Sequence, residues 1–177
     1  LNWRKLEENF GSESGYLGFL RDSPSAAQRL CHVLSNSRFL GDALNKSVES
    51  VTWLGNDDSL QPRSRESLDI QTKATLERNA GNINDFANSI RAMRRHEIER
   101  IGLAWMSGVI DDEASLAGMT DVYDAAIEAS LQWAIQHRIN DIQIDEAPAA
   151  IAIIGMGRYG GREVNFSSDA DVIIIYR

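Results

Sequence analysis

Asp169 and Asp171 stand two positions apart at the mouth of the apolar run Val172–Ile175, and Gly155, Gly157, Gly160 and Gly161 lie just upstream. Residues two apart in an extended strand project from one face, so the spacing directs both carboxylates the same way, with Val172 to Ile175 expected to anchor them in a core. Two adjacent carboxylates repel unless a cation lies between them, and hard divalent ions such as Mg²⁺ prefer oxygen ligands. Backbone N–H groups flanked by glycine supply the complementary element, a cradle for phosphate. The chemistry this predicts is metal-assisted reaction at a nucleotide.

Gly155, Gly157 and Gly160 also spell G-x-G-x-x-G after an apolar segment, the fingerprint of dinucleotide binding. That fingerprint opens a long crossover helix in a unit of roughly 30 residues, with an acidic residue about 20 positions on. Here the next strand begins near Asp171, which leaves room for two or three helical turns after Gly161. The acidic residues come as a pair, preceded by Ser167 and Ser168. The context fails, and the dinucleotide reading is set aside.

A glycine turn, a short helix and then Ser-Asp-x-Asp opening the next strand resembles the signature of the DNA polymerase β-like nucleotidyltransferases. The wording GMGRYGGREVNFSSDADV, Gly155 to Val172, is narrower. It resembles the glutamine synthetase adenylyltransferase and adenylyl-removing family, which carries G-x-G-[KR]-x-G-G-x-E, a short spacer and S-D-x-D. Upstream, LGFLRDSPSAAQRLCHVLSNSRFLGDAL and IRAMRRHEIERIGLAWM are similar to the helical region that precedes a nucleotidyltransferase core in that family.

The fold class expected is mainly α: a helical domain over residues 1–148, then the first two strands of a truncated α/β, polymerase β-like nucleotidyltransferase core over 149–177. Members of the superfamily commonly carry a third catalytic carboxylate on a further strand. The sequence therefore reads as a piece excised from a larger enzyme.

Composition is that of an ordinary globular chain: 177 residues, 43% hydrophobic and 25% charged. No apolar run approaches the ~20 residues of a membrane span, and no basic-then-apolar leader is present. Cys31 is the one cysteine, which excludes an intramolecular disulfide and points to a reducing compartment, the cytoplasm. Its helix-like surroundings predict a small buried hydrophobe. A net charge of −8 argues against nucleic acid as a partner.

Turn signals divide the helical part. A short helix is expected over Leu1 to Phe10, ended by Gly11 and Gly15, and another across Ala26 to Leu34 with Ser23 as cap and Pro24 in the first turn. Further helices are expected over Arg38 to Leu44, Arg65 to Asn79, Asn84 to Val109 and Met119 to His137. Gly55 to Ser64 reads as an exposed loop, Asp111 to Glu113 as a link and Asp145 to Pro148 as the linker into the first strand.

The helix Asn84 to Val109 carries an anomaly. At 100° per residue Ile83, Phe86, Ile90, Ile101, Ala104 and Trp105 share one face, and Arg94 and Glu97 fall within it. Buried charge needs compensation, so either Arg94 pairs with Glu97 or Arg94 faces the catalytic part. Arg91, Arg95 and Arg100 read as a solvated face. Trp53, Trp105 and Trp133 are expected to pack between helices. His32, His96 and His137 lack the spacing of a zinc site. Met119, Val122, Ala126 and Ala129 line one side of the last helix and Tyr123, Ile127 and Leu131 another, the pattern of a sandwiched helix.

The resemblance assigns the site residue by residue. Asp169 and Asp171 are the expected catalytic metal ligands for Mg²⁺, with ATP as substrate. Gly157, Gly160 and Gly161 are expected to let the β- and γ-phosphates approach the backbone. Arg158 is either a phosphate contact or a surface residue. Ser167 and Ser168 either bind a phosphate oxygen or hold the turn before Asp169. Asn165 is expected to form that turn, and Glu163 is left open. The implied activity is transfer of AMP from ATP to a tyrosine of glutamine synthetase. The wording with Arg158 is nearer the adenylylating half of actinobacterial-type members than the removing half. Two further readings stand beside it: a helical module docking glutamine synthetase or a PII-type nitrogen-signalling protein, and a small-molecule nucleotidyltransferase. The first gives no reason for the paired carboxylates, and the second none for the long helical region.

Overall fold

The computed structural model describes residues 14–143, 147 and 149–177. The helix expected over Leu1 to Phe10 lies outside them, as does the Asp145 to Pro148 linker apart from Ala147. Helices α1 (Ser14–Asp22), α2 (Pro24–Asn36) and α3 (Arg38–Leu44) are followed by a 3₁₀ segment, Val48–Gly55, and by the single turn α4 (Asp57–Leu60). Then come α5 (Arg65–Arg78), α6 (Ile83–Met106) and α7 (Asp112–Ile142), strand β1 (Ile151–Gly155), the one-turn α8 (Gly157–Gly160) and β2 (Val172–Tyr176). Two compact units result, one of residues up to Pro62 with Glu99–Ser115, the other of Arg63–Ile98 with Leu116–Arg177. No helix among the described residues is long and apolar enough to cross a membrane.

In the first unit Ser23 stands at the N-cap position of α2, without a side-chain capping bond, and Pro24 occupies its first turn, where a missing N–H costs nothing. Ser37 caps α3 by accepting the Leu40 N–H at 3.1 Å. Leu30, Val33, Leu40, Leu44, Val51, Leu54, Leu60 and Leu103 form the core. The segment Gly55 to Ser64, expected as a loop, contains α4, because Asn56 accepts the Asp58 N–H at 2.9 Å and starts a turn that buries Leu60 fully. Gly15 lies inside α1 and does not end a helix. Cys31 is exposed, since Leu30 and Val33 take the buried face of α2 and position 31 is turned 100° away from Leu30. Arg100 is buried: its guanidinium stacks on Trp53 at 4.0 Å and donates to the Ser59 carbonyl. Trp105 is 43% exposed and donates its indole N–H to Asp112 at 2.6 Å.

In the second unit α5 is capped by Ser64, and α6 by Asn82, which accepts the Asn84 and Asp85 N–H groups at 3.0 and 3.3 Å. Helix α7, whose residues up to Ser115 belong to the first unit, starts earlier than expected. Asp111 accepts the Ala114 N–H at 2.8 Å, and Asp112 and Glu113 place negative charge in the first turn, so the residues read as a link are a helix start. Phe86, Ile90 and Met93 of α6 are buried, and Phe86 stacks on Trp133 at 5.8 Å. Ile83 is 55% exposed and leaves the expected stripe. Glu97, 2% exposed, takes Arg63 as its ion-pair partner at 3.3 Å in place of the expected Arg94, which is exposed. On α7, Met119, Val122, Ala126 and Ala129 are buried and Tyr123, Ile127 and Leu131 half-buried, as a helix covered on two sides requires.

The strands pair antiparallel, Ile151 opposite Tyr176 through Gly155 opposite Val172. A dinucleotide fingerprint needs parallel strands and a crossover helix, so the antiparallel register excludes it. Val172, Ile173, Ile174 and Ile175 are 38–61% exposed. The expectation that they anchor the carboxylates in a core is overturned, because a two-stranded ribbon leaves much of both faces open.

Candidate functional site

The segment from Met156 to Asp171 is closed by one further ladder bond, from the Met156 N–H to the Asp171 carbonyl at 2.9 Å. Its first half is the glycine turn. Gly157 has φ +54°, a conformation that costs an L-residue about 1 kcal/mol. A Cβ on Gly160 would lie 2.4 Å from the Gly155 carbonyl oxygen, so this glycine lets α8 sit directly against β1. The Gly160 and Gly161 N–H groups are spent inside the turn, on the Met156 and Gly157 carbonyls at 2.9 and 3.0 Å. The short helix expected after Gly161 is instead α8 itself, within the glycine motif. Arg158 is exposed, and its carbonyl accepts the Glu163 N–H at 2.7 Å.

The second half is organised by Asn165. Its Oδ1 accepts the Ser167 N–H and the Ser167 and Ser168 hydroxyls at 3.0, 3.1 and 3.0 Å. Its own N–H donates to the Ser168 Oγ at 3.1 Å. Asn165 thus forms the turn, as expected, and both serine hydroxyls serve to hold it. Asp169 and Asp171 emerge from it exposed to solvent.

Helix α7 grips both halves. On the glycine side, Tyr159 is 8% exposed and donates to Asp124 at 2.6 Å. Burial, then the hydrogen bond to Asp124 and its charge, hold the phenol well above the ordinary tyrosine pKa. Arg162, at φ +58°, pairs with Asp121 at 2.7 Å and with Asp124 at 3.6 Å. Arg65 of α5 reaches Asp124 at 3.4 Å. These ion pairs hold a backbone conformation that arginine adopts at a cost. On the carboxylate side, the Tyr123 hydroxyl donates to the Ser168 carbonyl at 3.2 Å, and the Arg94 guanidinium lies 5.4 Å over the Tyr123 ring. Tyr123 and Tyr159 meet at 6.4 Å. None of Asp121, Tyr123, Asp124, Tyr159 or Arg162 stands out as a site residue from sequence. Asp121 and Asp124, spaced i,i+3 on a helix apolar on two sides, were the available signal.

Among the described residues no group of three or more His, Cys, Asp or Glu side chains gathers into a metal cage. Mg²⁺ does not need one: it keeps several waters and is held through one or two carboxylates plus substrate phosphates. Two exposed carboxylates of hard oxygen donors, two residues apart, fit that mode.

The model of the Glutamate-ammonia ligase adenylyltransferase family matches residues 27–177. The chain is 75% identical over all 177 residues to the bifunctional glutamine synthetase adenylyltransferase/adenylyl-removing enzyme of Bifidobacterium longum (strain DJO10A). It is 38% identical over its full length to the protein of that name from Leifsonia xyli subsp. xyli, and 36% identical over 99% of its length to that from Mycobacterium tuberculosis (strain H37Rv). It spans 16%, 17% and 18% of the length of these three relatives. The chain belongs to the glutamate–ammonia ligase adenylyltransferase family.

Proposed function

We propose that the chain is part of a cytoplasmic enzyme that transfers AMP from ATP to a tyrosine of glutamine synthetase, releasing pyrophosphate, and that a PII-type signalling protein is a further partner. The observation that carries this is the family match running through Asp171, where the paired carboxylates leave a fixed turn beside the glycine motif. Residues 1–148 are read as the helical domain and 149–177 as the opening of the nucleotidyltransferase domain. The bare apolar strands support that reading, since the faces of a sheet this apolar are ordinarily covered by packed helices.

Asp169 and Asp171 would hold Mg²⁺, which when bound supplies neutralisation of the triphosphate. The rest falls to the chain itself. Gly157, with open space where a Cβ would stand, and the exposed Arg158 are the phosphate contacts. Gly160, Gly161, Ser167 and Ser168 act through the turns they build. The open surface around the carboxylates admits a protein hydroxyl, whose oxygen bonds to the α-phosphorus while its proton passes to solvent and the bond to pyrophosphate breaks, the electron pair leaving with the pyrophosphate.

The wording around Arg158 favours the adenylylating half. The test is Asp169→Asn in the full-length protein, with AMP addition and phosphate-dependent AMP removal assayed separately on glutamine synthetase. Addition should fall by at least ~100-fold with removal retained. Loss of removal alone would place the chain in the other half.

A further inference from the structure

The two carboxylates are anchored by different means. Asp171 is fixed by the sheet, its carbonyl accepting the Met156 N–H. Asp169 follows Ser168, whose carbonyl accepts the Tyr123 hydroxyl from α7. A peptide unit is planar, so a bond to the Ser168 carbonyl orients the plane that also carries the nitrogen and Cα of Asp169. The Asn165 contacts stiffen the turn internally but tie it to no other element. The glycine side is tied to α7 separately, through Tyr159 on Asp124 and Arg162 on Asp121.

We infer that Tyr123 is a positioning residue for Asp169, and that Arg94, stacked on its ring, holds Tyr123 in the pose that makes the bond. This rests on the nucleotidyl-transfer reading above and deepens it. A cation over a phenol ring restrains the ring without using its hydroxyl, which stays available to Ser168. Arg94 is exposed, and its recorded contact is this one with the Tyr123 ring. Lysine can supply the same cation over the ring, whereas alanine cannot.

The test uses Tyr123→Phe, Arg94→Ala and Arg94→Lys in the full-length protein, with Tyr159→Phe as the reciprocal variant. Amide hydrogen exchange without nucleotide or metal reads the tether alone. In Tyr123→Phe the Ser167 and Ser168 amides should exchange about tenfold faster, while those of Gly160 and Gly161 stay as in wild type; Tyr159→Phe should do the reverse. In AMP transfer, Tyr123→Phe and Arg94→Ala should lower kcat about tenfold with KM for ATP changed less than about twofold, and Arg94→Lys should recover most of it. Equal loosening of both halves in Tyr123→Phe would make the residue merely structural and overturn the proposal, as would unchanged exchange and kcat. Asp169→Asn separates the two readings: if it keeps full AMP transfer, the catalytic assignment fails, while the exchange pattern still decides the tether.

Discussion

Gly160→Ala distinguishes a glycine required by the fold from one required by a ligand. The added Cβ would meet the Gly155 carbonyl oxygen at 2.4 Å and its carbonyl carbon at 2.9 Å, both backbone atoms of the adjoining strand. Against an optimal separation of roughly 3.5 Å, α8 and β1 would have to part by about 1 Å. Overpacking of that kind costs about 3 kcal/mol, the upper end of its usual range, because backbone cannot step aside as a side chain can. Gly157→Ala meets nothing within 4 Å and pays only for φ +54°, about 1 kcal/mol. Gly81→Ala has open space and serves as the neutral control. Hydrogen exchange at the Met156 and Gly160 amides, one bonded to Asp171 at the end of the ladder and the other inside the turn next to this contact, should quicken roughly a hundredfold in Gly160→Ala, several-fold in Gly157→Ala and not at all in Gly81→Ala. If Gly160→Ala leaves those amides protected and weakens ATP binding instead, the glycine serves phosphate approach and the packing argument is refuted.

Asp171→Asn should lower AMP transfer at least ~100-fold with the thermal midpoint unchanged, since the carboxylate is exposed and the ladder bond uses its carbonyl. Arg63→Ala removes one ion-pair partner from a carboxylate only 2% exposed and should cost about 1 kcal/mol in denaturant titration, whereas Arg95→Ala on the exposed face should cost less than about 0.5 kcal/mol. Tyr159→Phe should cost about 1.5 kcal/mol at neutral pH. Because the folded state raises this phenol above its unfolded value, its contribution is fully present below about pH 10 and declines above it; the wild-type advantage over Tyr159→Phe should therefore be flat from pH 7 to 9 and shrink in stronger alkali.

Helix starts were legible where a serine stood directly before the first turn. Ser23 with Pro24, Ser37 before Arg38 and Ser64 before Arg65 each mark a boundary the structure keeps. The failures have local causes too. Gly15 and Gly18 lower the helical propensity of α1, yet Leu20 is buried in the core and that packing outweighs the loss. Asn56 and Asp57 are as much turn formers as helix starters, and burial of Leu60, which composition does not announce, decides for α4. Asp111 posed the same ambiguity before α7, and there the helix won.

The site divides along a different line, that of sequence separation. The glycine turn and the turn made by Asn165 follow from partners within a few residues, where spacing rules have force. Periodicity offers a helical charge only partners three or four positions away, so it assigns Glu97 to Arg94; the structure gives Glu97 to Arg63, 34 positions earlier by numbering. Tyr123 reads as one more apolar position of α7 until the chain returns 45 residues later with Ser168. Arg94, freed from Glu97, then rests on Tyr123. The same physics makes such residues findable. A charge on an apolar helix face must be compensated somewhere, and where no neighbour within a turn has the geometry, the compensating group comes from distant sequence. For Glu97 that group is Arg63, 34 positions earlier, just ahead of α5.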